Sequence, residues 1–311
     1  MRIVSLLPSA TEIICELGLR DQLVGVTHEC DYPPSVAALP KVTKTLIPTD
    51  ASSRHIDALV RDRMGAQSAL YTLDQNMLDR LQPDLIVTQA LCDVCAVAEA
   101  EVRDAACRVA SMPRVVNLEP ETLDDVLDAI RTVARATDRG AEADAVIERL
   151  RQRVARVAER ATRLSHRPRV ALLEWLDPPF STGHWNPELI RIAGGVDQLG
   201  REGQKSVALR WEQVIAARPD VVLISCCGFT AERTMQEVHV LRDVAGWDTL
   251  PAVRNERVFV TDGASYFSRP GPRLVDSLEL VAHVIDPAIH PLPDWVQQPL
   301  RLERAATVTT R

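Results

Sequence analysis

The chain has 311 residues, with 36 lysines and arginines against 43 aspartates and glutamates, a formal charge of −7, and 46% of it is hydrophobic. That composition belongs to a folded globular protein and excludes a disordered chain, a collagen and a coiled coil. The acidic balance argues against nucleic acid as the main partner, because phosphate binding needs a basic surface. No run of about 18 apolar residues is present to span a membrane.

In chain order, Arg2–Leu6 reads as a first strand, and Ser9, Thr11 and Glu12 mark the start of a helix over Thr11–Leu17. Because Met1-Arg2 leads at once into the strand, the sequence predicts no export signal and a cytoplasmic protein. Its seven cysteines would then stay thiols. Further strands are expected at Leu23–Thr27, Asp84–Thr88, Arg114–Leu118, Arg169–Glu174, Asp220–Ser225 and Arg257–Thr261. Helical patterns lie between them, among them Pro187–Ile192, closed by Gly194-Gly195, and Leu274–Val284. Strand–helix alternation predicts βα units and largely parallel sheets.

The chain also echoes itself. Leu81-Gln82-Pro83-Asp84-Leu85-Ile86-Val87 resembles Ala217-Arg218-Pro219-Asp220-Val221-Val222-Leu223, each a helix end, a Pro-Asp turn and a buried strand. Between the two copies, Glu121–Arg135 and Ala141–Leu164 are strongly helical. In the second, Ile147, Leu150, Val154, Val157, Ala161 and Leu164 form one apolar stripe, and Arg149, Arg151, Arg153, Glu159 and Arg160 a face expected to be solvated. A helix of that length would span roughly 36 Å, long enough for a stiff connector. The expected organisation is an N-terminal α/β lobe over 1–120, a helical connector over 121–166, a C-terminal α/β lobe over 167–286, and a tail over 287–311. The tail is proline-spotted and is expected to wrap the surface or stay disordered.

No Gly-x-Gly-x-x-Gly follows a strand, and the chain lacks a P-loop, a Gly-x-Ser-x-Gly and a His-Glu-x-x-His. The reading is of a binding protein more than an enzyme. Leu7-Pro8-Ser9-Ala10-Thr11-Glu12, Cys30-Asp31-Tyr32-Pro33-Pro34, Asp177-Pro178-Pro179-Phe180-Ser181-Thr182-Gly183 and Arg269-Pro270-Gly271-Pro272-Arg273 occur in that order. Together with the Pro-Asp strands and the long central helix, this set resembles the helical-backbone substrate-binding proteins of ABC importers, among them the cobalamin binders. The resemblance covers roughly residues 1–286. It implies two Rossmann-like α/β lobes joined by one rigid helix, with a small ligand in the cleft between them, off the carboxyl ends of the strands. A corrinoid such as cobalamin, or another metal-containing molecule, is the implied ligand.

Carried over residue by residue, the resemblance places the family's cleft phenylalanine at Phe180 and its cleft arginine at Arg269. Aromatic cleft positions of the cobalamin binders fall on Glu29, near Thr45, on Gln89 and on Ser206. Tyr32, Trp175, Trp185, Tyr266 and Phe267 are then the aromatics available to a ligand, with His184 beside them. Glu212 matches the second-lobe acid that meets the permease in the family, whereas the first-lobe position falls near Asn76, so permease docking is not expected.

Cysteines stand where those aromatics are missing. Cys30 follows Leu23–Thr27, Cys92 and Cys95 follow Asp84–Thr88, and Cys226-Cys227 follows Asp220–Ser225. Four thiolates from Cys30, Cys92, Cys95 and Cys227, with Cys226 as alternate, would suit an iron–sulfur cluster or zinc. A metalloprotein with redox or enzymatic function is therefore the alternative reading. The plainer one is that free cysteines are small buried residues, as expected for Cys15 and Cys107.

Overall fold

A computed structural model describes residues 1–48, 51–65, 70–89 and 97–303. The chain forms two compact α/β units, one of Met1–Ala51, His55–Pro120 and Asp124–Arg149, the other of Ser52–Arg54, Glu121–Leu123 and Leu150–Arg311. In chain order the first unit's elements are β1 (Ile3–Ser5), α1 (Pro8–Glu16), β2 (Leu23–Val26), β3 (Thr43–Thr45), α2 (Ser53–Gly65), β4 (Tyr71–Leu73) and α3 (Gln75–Leu81). They continue with β5 (Leu85–Gln89), α4 (Glu99–Arg108), β6 (Arg114–Leu118), α5 (Leu123–Thr137) and the first part of α6 (Gly140–Ala161). Its sheet runs β2-β1-β5-β6, and every pair in it is parallel. Parallel strands are covered on both faces, so β5 is apolar without alternation and buried throughout. On one face Val4, Leu6 and Ile86 pack with Leu78, Val102 and Val109.

The second unit contains β7 (Arg169–Leu176), β8 (Pro179–Ser181), α7 (Asn186–Ile192), β9 (Val196–Asp197), α8 (Trp211–Ala217) and β10 (Val221–Ile224). After these come α9 (Ala231–Glu237), α10 (Pro251–Arg254), β11 (Val258–Val260), α11 (Leu274–Ile285) and β12 (Leu300–Arg301). Its sheet has the order β12-β11-β10-β7-β8, with β9 also on β7. The three central strands are parallel, and β8 and β12 are antiparallel edges. Each of the seven strands expected from the sequence is present.

The internal echo has one physical cause in both units. Gln82 and Arg218 end their helices in the left-handed conformation, at φ +42° and +47°, and the proline that follows cannot continue a helix. The aspartate then caps the start of the neighbouring strand. Asp84 Oδ2 accepts from the Arg2 amide at 2.7 Å, and Asp220 Oδ2 accepts from the Arg169 amide at 2.9 Å.

The tail up to residue 303 runs along the second unit, where β12 pairs with β11 at the sheet edge and Val296 and Leu302 are buried. One expectation changes. Arg153 does not lie on a solvated face; its side chain is 12% exposed and engages Asp276 and Glu279 of α11.

Candidate functional site

In the second unit the parallel strands β7, β10 and β11 end on one edge, and the loops beyond them carry most of the expected ligand residues. The segment Asp177-Pro178 is a two-residue turn that folds β8 back on β7, setting Phe180 opposite Trp175. Directly opposed residues of an antiparallel pair project from the same face. Beside them, the ring of Phe229 meets Trp175 edge-on, centroids 5.2 Å apart. The Arg233 guanidinium lies 4.5 Å over Phe229 and is held by Glu237 at 2.7 Å. Trp175 and Phe180 are half-buried and Phe229 is buried. The result is an aromatic wall with an arginine at one end.

The loop after β8 is fixed by a carboxyl group. Glu174 Oε1 accepts from Thr182 Oγ1 at 3.1 Å, from the Gly183 amide at 3.3 Å and from Asn186 Nδ2 at 3.3 Å. Burial nevertheless outweighs these bonds and pushes the Glu174 carboxyl above its ordinary value of 4.5. The sign for stability follows. As pH rises past 4.5 the unfolded chain sheds this proton first, so stability falls until the folded pKa is passed. Glu174→Gln should flatten that part of the profile, which urea melts of both proteins from pH 4.5 to 7.5 will read. A wild-type profile parallel to the variant's would refute the assignment.

His184 stacks on Trp185 at 5.4 Å in a left-handed backbone, φ +50°, and burial lowers its pKa. Trp185 Nε1 donates to the Phe267 carbonyl at 2.8 Å, and Tyr266 Oη accepts from the Gln297 amide at 3.1 Å. Trp185, Tyr266 and Phe267 are all buried, and these bonds tie the loops that carry them together. Arg269 is buried at its edge of the same loop.

The sequence model of the periplasmic binding protein family matches residues 3–264 of the chain. The chain belongs to the periplasmic binding protein family. Within it, the chain is 26% identical over 284 residues to the vitamin B12-binding protein of Vibrio cholerae, covering 90% of this chain and 87% of that one. Among solved structures, the periplasmic heme-binding protein of Pseudomonas aeruginosa superposes with a TM-score of 0.72 at 20% identity, covering 97% and 98% of the two chains. The heme-binding protein of Roseiflexus sp. RS-1 in apo form gives 0.69 at 23%, covering 93% and 98%. The two-unit α/β architecture is thus that of the family, as the ordered motifs implied.

The remaining sequence-based residues separate. Tyr32, in the first unit, is exposed, and Glu212 is exposed in the first turn of α8 near Arg210. Cys30 is buried, its Sγ 3.1 Å from Thr11 Oγ1, and burial raises its pKa. The Cys226 thiol is buried and pushed up to about 12 by burial, and Cys227 is half-exposed. Cys92 and Cys95 lie outside the described residues. Among the described residues no group of three or more His, Cys, Asp or Glu is placed to hold a metal ion. The iron–sulfur and zinc reading therefore draws no support from the described cysteines. Phe229 and Arg233 were not singled out from sequence. The signal that could have found Phe229 is its place in the Cys226-Cys227-Gly228-Phe229 loop directly after β10.

Proposed function

We propose that this protein binds a metal-containing tetrapyrrole, and specifically a corrinoid, without turning it over. The observation that carries the reading is the wall of Trp175, Phe180 and Phe229 with Arg233 at its end, set off the carboxyl ends of the second sheet. Large flat faces suit a large, nearly planar macrocycle, and an arginine suits a polar group on its rim. Relatives named for vitamin B12 and for heme add weight to that ligand class.

The test is a titration of the purified protein with dicyanocobinamide and, separately, with hemin, followed by visible absorption and tryptophan fluorescence. Saturable binding of the corrinoid is expected. Phe180→Ala should weaken it roughly tenfold, about 1.4 kcal/mol, the scale of one lost aromatic stacking partner. No saturable change with either macrocycle would overturn the reading.

A further inference from the structure

We propose that the second unit carries a face that docks on an anionic phospholipid bilayer, formed by the arginines at the end of α6 and the displayed ring of Trp295. All of these residues belong to that one unit.

The charge is set by the sequence. From Arg151 to Arg167 it holds six arginines and one acid, Glu159, in a chain whose formal charge is −7. A run of this kind is often no more than a solvated helix flank, so placement decides. Arg153, Arg156, Arg160 and Arg163 follow one another at spacings of three and four, which puts them along one flank. Arg163 lies in the closing turn of the helix, its amide bonded to the Arg160 carbonyl at 3.0 Å.

This flank divides in two. Arg153 is committed inward, to Asp276 and Glu279. Arg156 and Arg163 are exposed and Arg160 is half-buried, and among the described residues none of these three forms an ion pair. At 1.5 Å per residue they span roughly 10 Å, about one Debye length at physiological salt, so a flat anionic surface meets them together.

The tail runs beside the same flank. Trp295 lies 5.5 Å from the Arg153 guanidinium. Burial lowers the pKa of His290, and the charge of Arg160 adds to that, which sets Arg160 near the start of the tail. Trp295 is 67% exposed, yet its backbone is held. Val296 is buried with its amide bonded to the Pro293 carbonyl at 3.0 Å, and the Gln297 amide bonds Tyr266 Oη at 3.1 Å. An indole held outward beside unpaired guanidinium groups suits a membrane interface: the apolar body of the ring enters the headgroup boundary, its N–H stays among polar groups, and the arginines meet phosphates. An acidic polypeptide would answer the arginines and leave the ring in water. Asp294, exposed beside the ring, opposes the attraction and is outnumbered.

The experiment sediments the purified full chain with vesicles of mixed phosphatidylglycerol and phosphatidylcholine, and with phosphatidylcholine alone, at about 0.1 M salt. Binding to the mixed vesicles only is expected, with a blue shift of tryptophan fluorescence, and with release at about 1 M salt. The triple variant Arg156→Gln, Arg160→Gln, Arg163→Gln should weaken binding about a hundredfold, roughly fivefold for each arginine brought to the surface. Trp295→Ala should weaken it about fivefold and remove the blue shift. The triple variant Arg156→Lys, Arg160→Lys, Arg163→Lys keeps the charge and should bind within about threefold of the wild type. A wild type that binds neither kind of vesicle, or both alike, would overturn the proposal. So would a glutamine triple or a Trp295→Ala protein that binds like the wild type. Binding of poly-glutamate that the glutamine triple abolishes, with vesicles left unbound, would overturn it in favour of an acidic protein partner. The wall of Trp175, Phe180 and Phe229 takes no part, so failure here leaves the ligand reading untouched.

Discussion

Replacing Gly263 by alanine is expected to cost about 3 kcal/mol of stability, the upper end for overpacking, and to weaken ligand binding with it. A Cβ at Gly263 falls 2.6 Å from the Cys226 carbonyl carbon and 2.9 Å from that of Ser225, and closest of all to the Cys226 oxygen. These are backbone atoms, which cannot rotate away as a side-chain tip can. The Cys226 carbonyl also accepts from the Phe229 amide at 2.9 Å, and the Phe229 carbonyl accepts from Ala264 at 3.0 Å. The loops after β10 and β11 are therefore locked to one another, and prying them apart moves Phe229 off Trp175. A loss of about 3 kcal/mol corresponds to a melting temperature roughly 6–12 °C lower for a chain of this size. Gly140→Ala is the control, because a Cβ there meets nothing within 4 Å. A Gly263→Ala protein melting within two degrees of that control, with the same corrinoid affinity, would show that the loops part freely.

How far the sequence could be read follows from which forces are local. Strands such as Val221–Ile224 announce themselves, because β-branched residues in a short run bounded by Pro-Asp have little else to form. The Pro-Asp echo was equally visible, since its aspartate acts on a backbone amide one strand away in each unit. What was not visible is which side chains the loops turn outward. Tyr266, Phe267 and Trp185 are aromatics in the right loops, and only tertiary packing buries them. The aromatic wall depends on the register Trp175 opposite Phe180, which the Asp177-Pro178 turn and the proline that opens β8 conceal. Cysteines posed the opposite problem. Their positions after strands suggested chemistry, yet at Cys30 and Cys226 burial and hydroxyl partners account for them.

Arg153 carries the second large effect, and it shows how a charged stripe misleads. Read along α6 alone, Arg153 belongs with Arg149 and Arg160 on a polar face. In the fold it meets Asp276 and, at 2.6 Å, Glu279, which stand three residues apart on α11 and so share one side of it. All three side chains are nearly enclosed, and Trp295 from the tail lies 5.5 Å from the guanidinium. Burial alone would discharge the arginine, but the hydrogen bonds to Glu279 and Asp276 win and raise its pKa. Removing one partner from a buried ionic cluster typically costs about 3–5 kcal/mol, because the charges left behind have lost their solvation. Arg153→Met should therefore lower the melting temperature by roughly 6–20 °C. The triple variant Arg153→Met, Asp276→Asn, Glu279→Gln should recover most of that loss, since it strands no charge. Trp295→Ala, which deletes only the ring on the outer side, should cost about 0.5–1 kcal/mol. Thermal melts of the three proteins decide the matter. If the triple variant is no more stable than the single one, the penalty comes from lost packing of the arginine stem, and the ionic account of this junction fails.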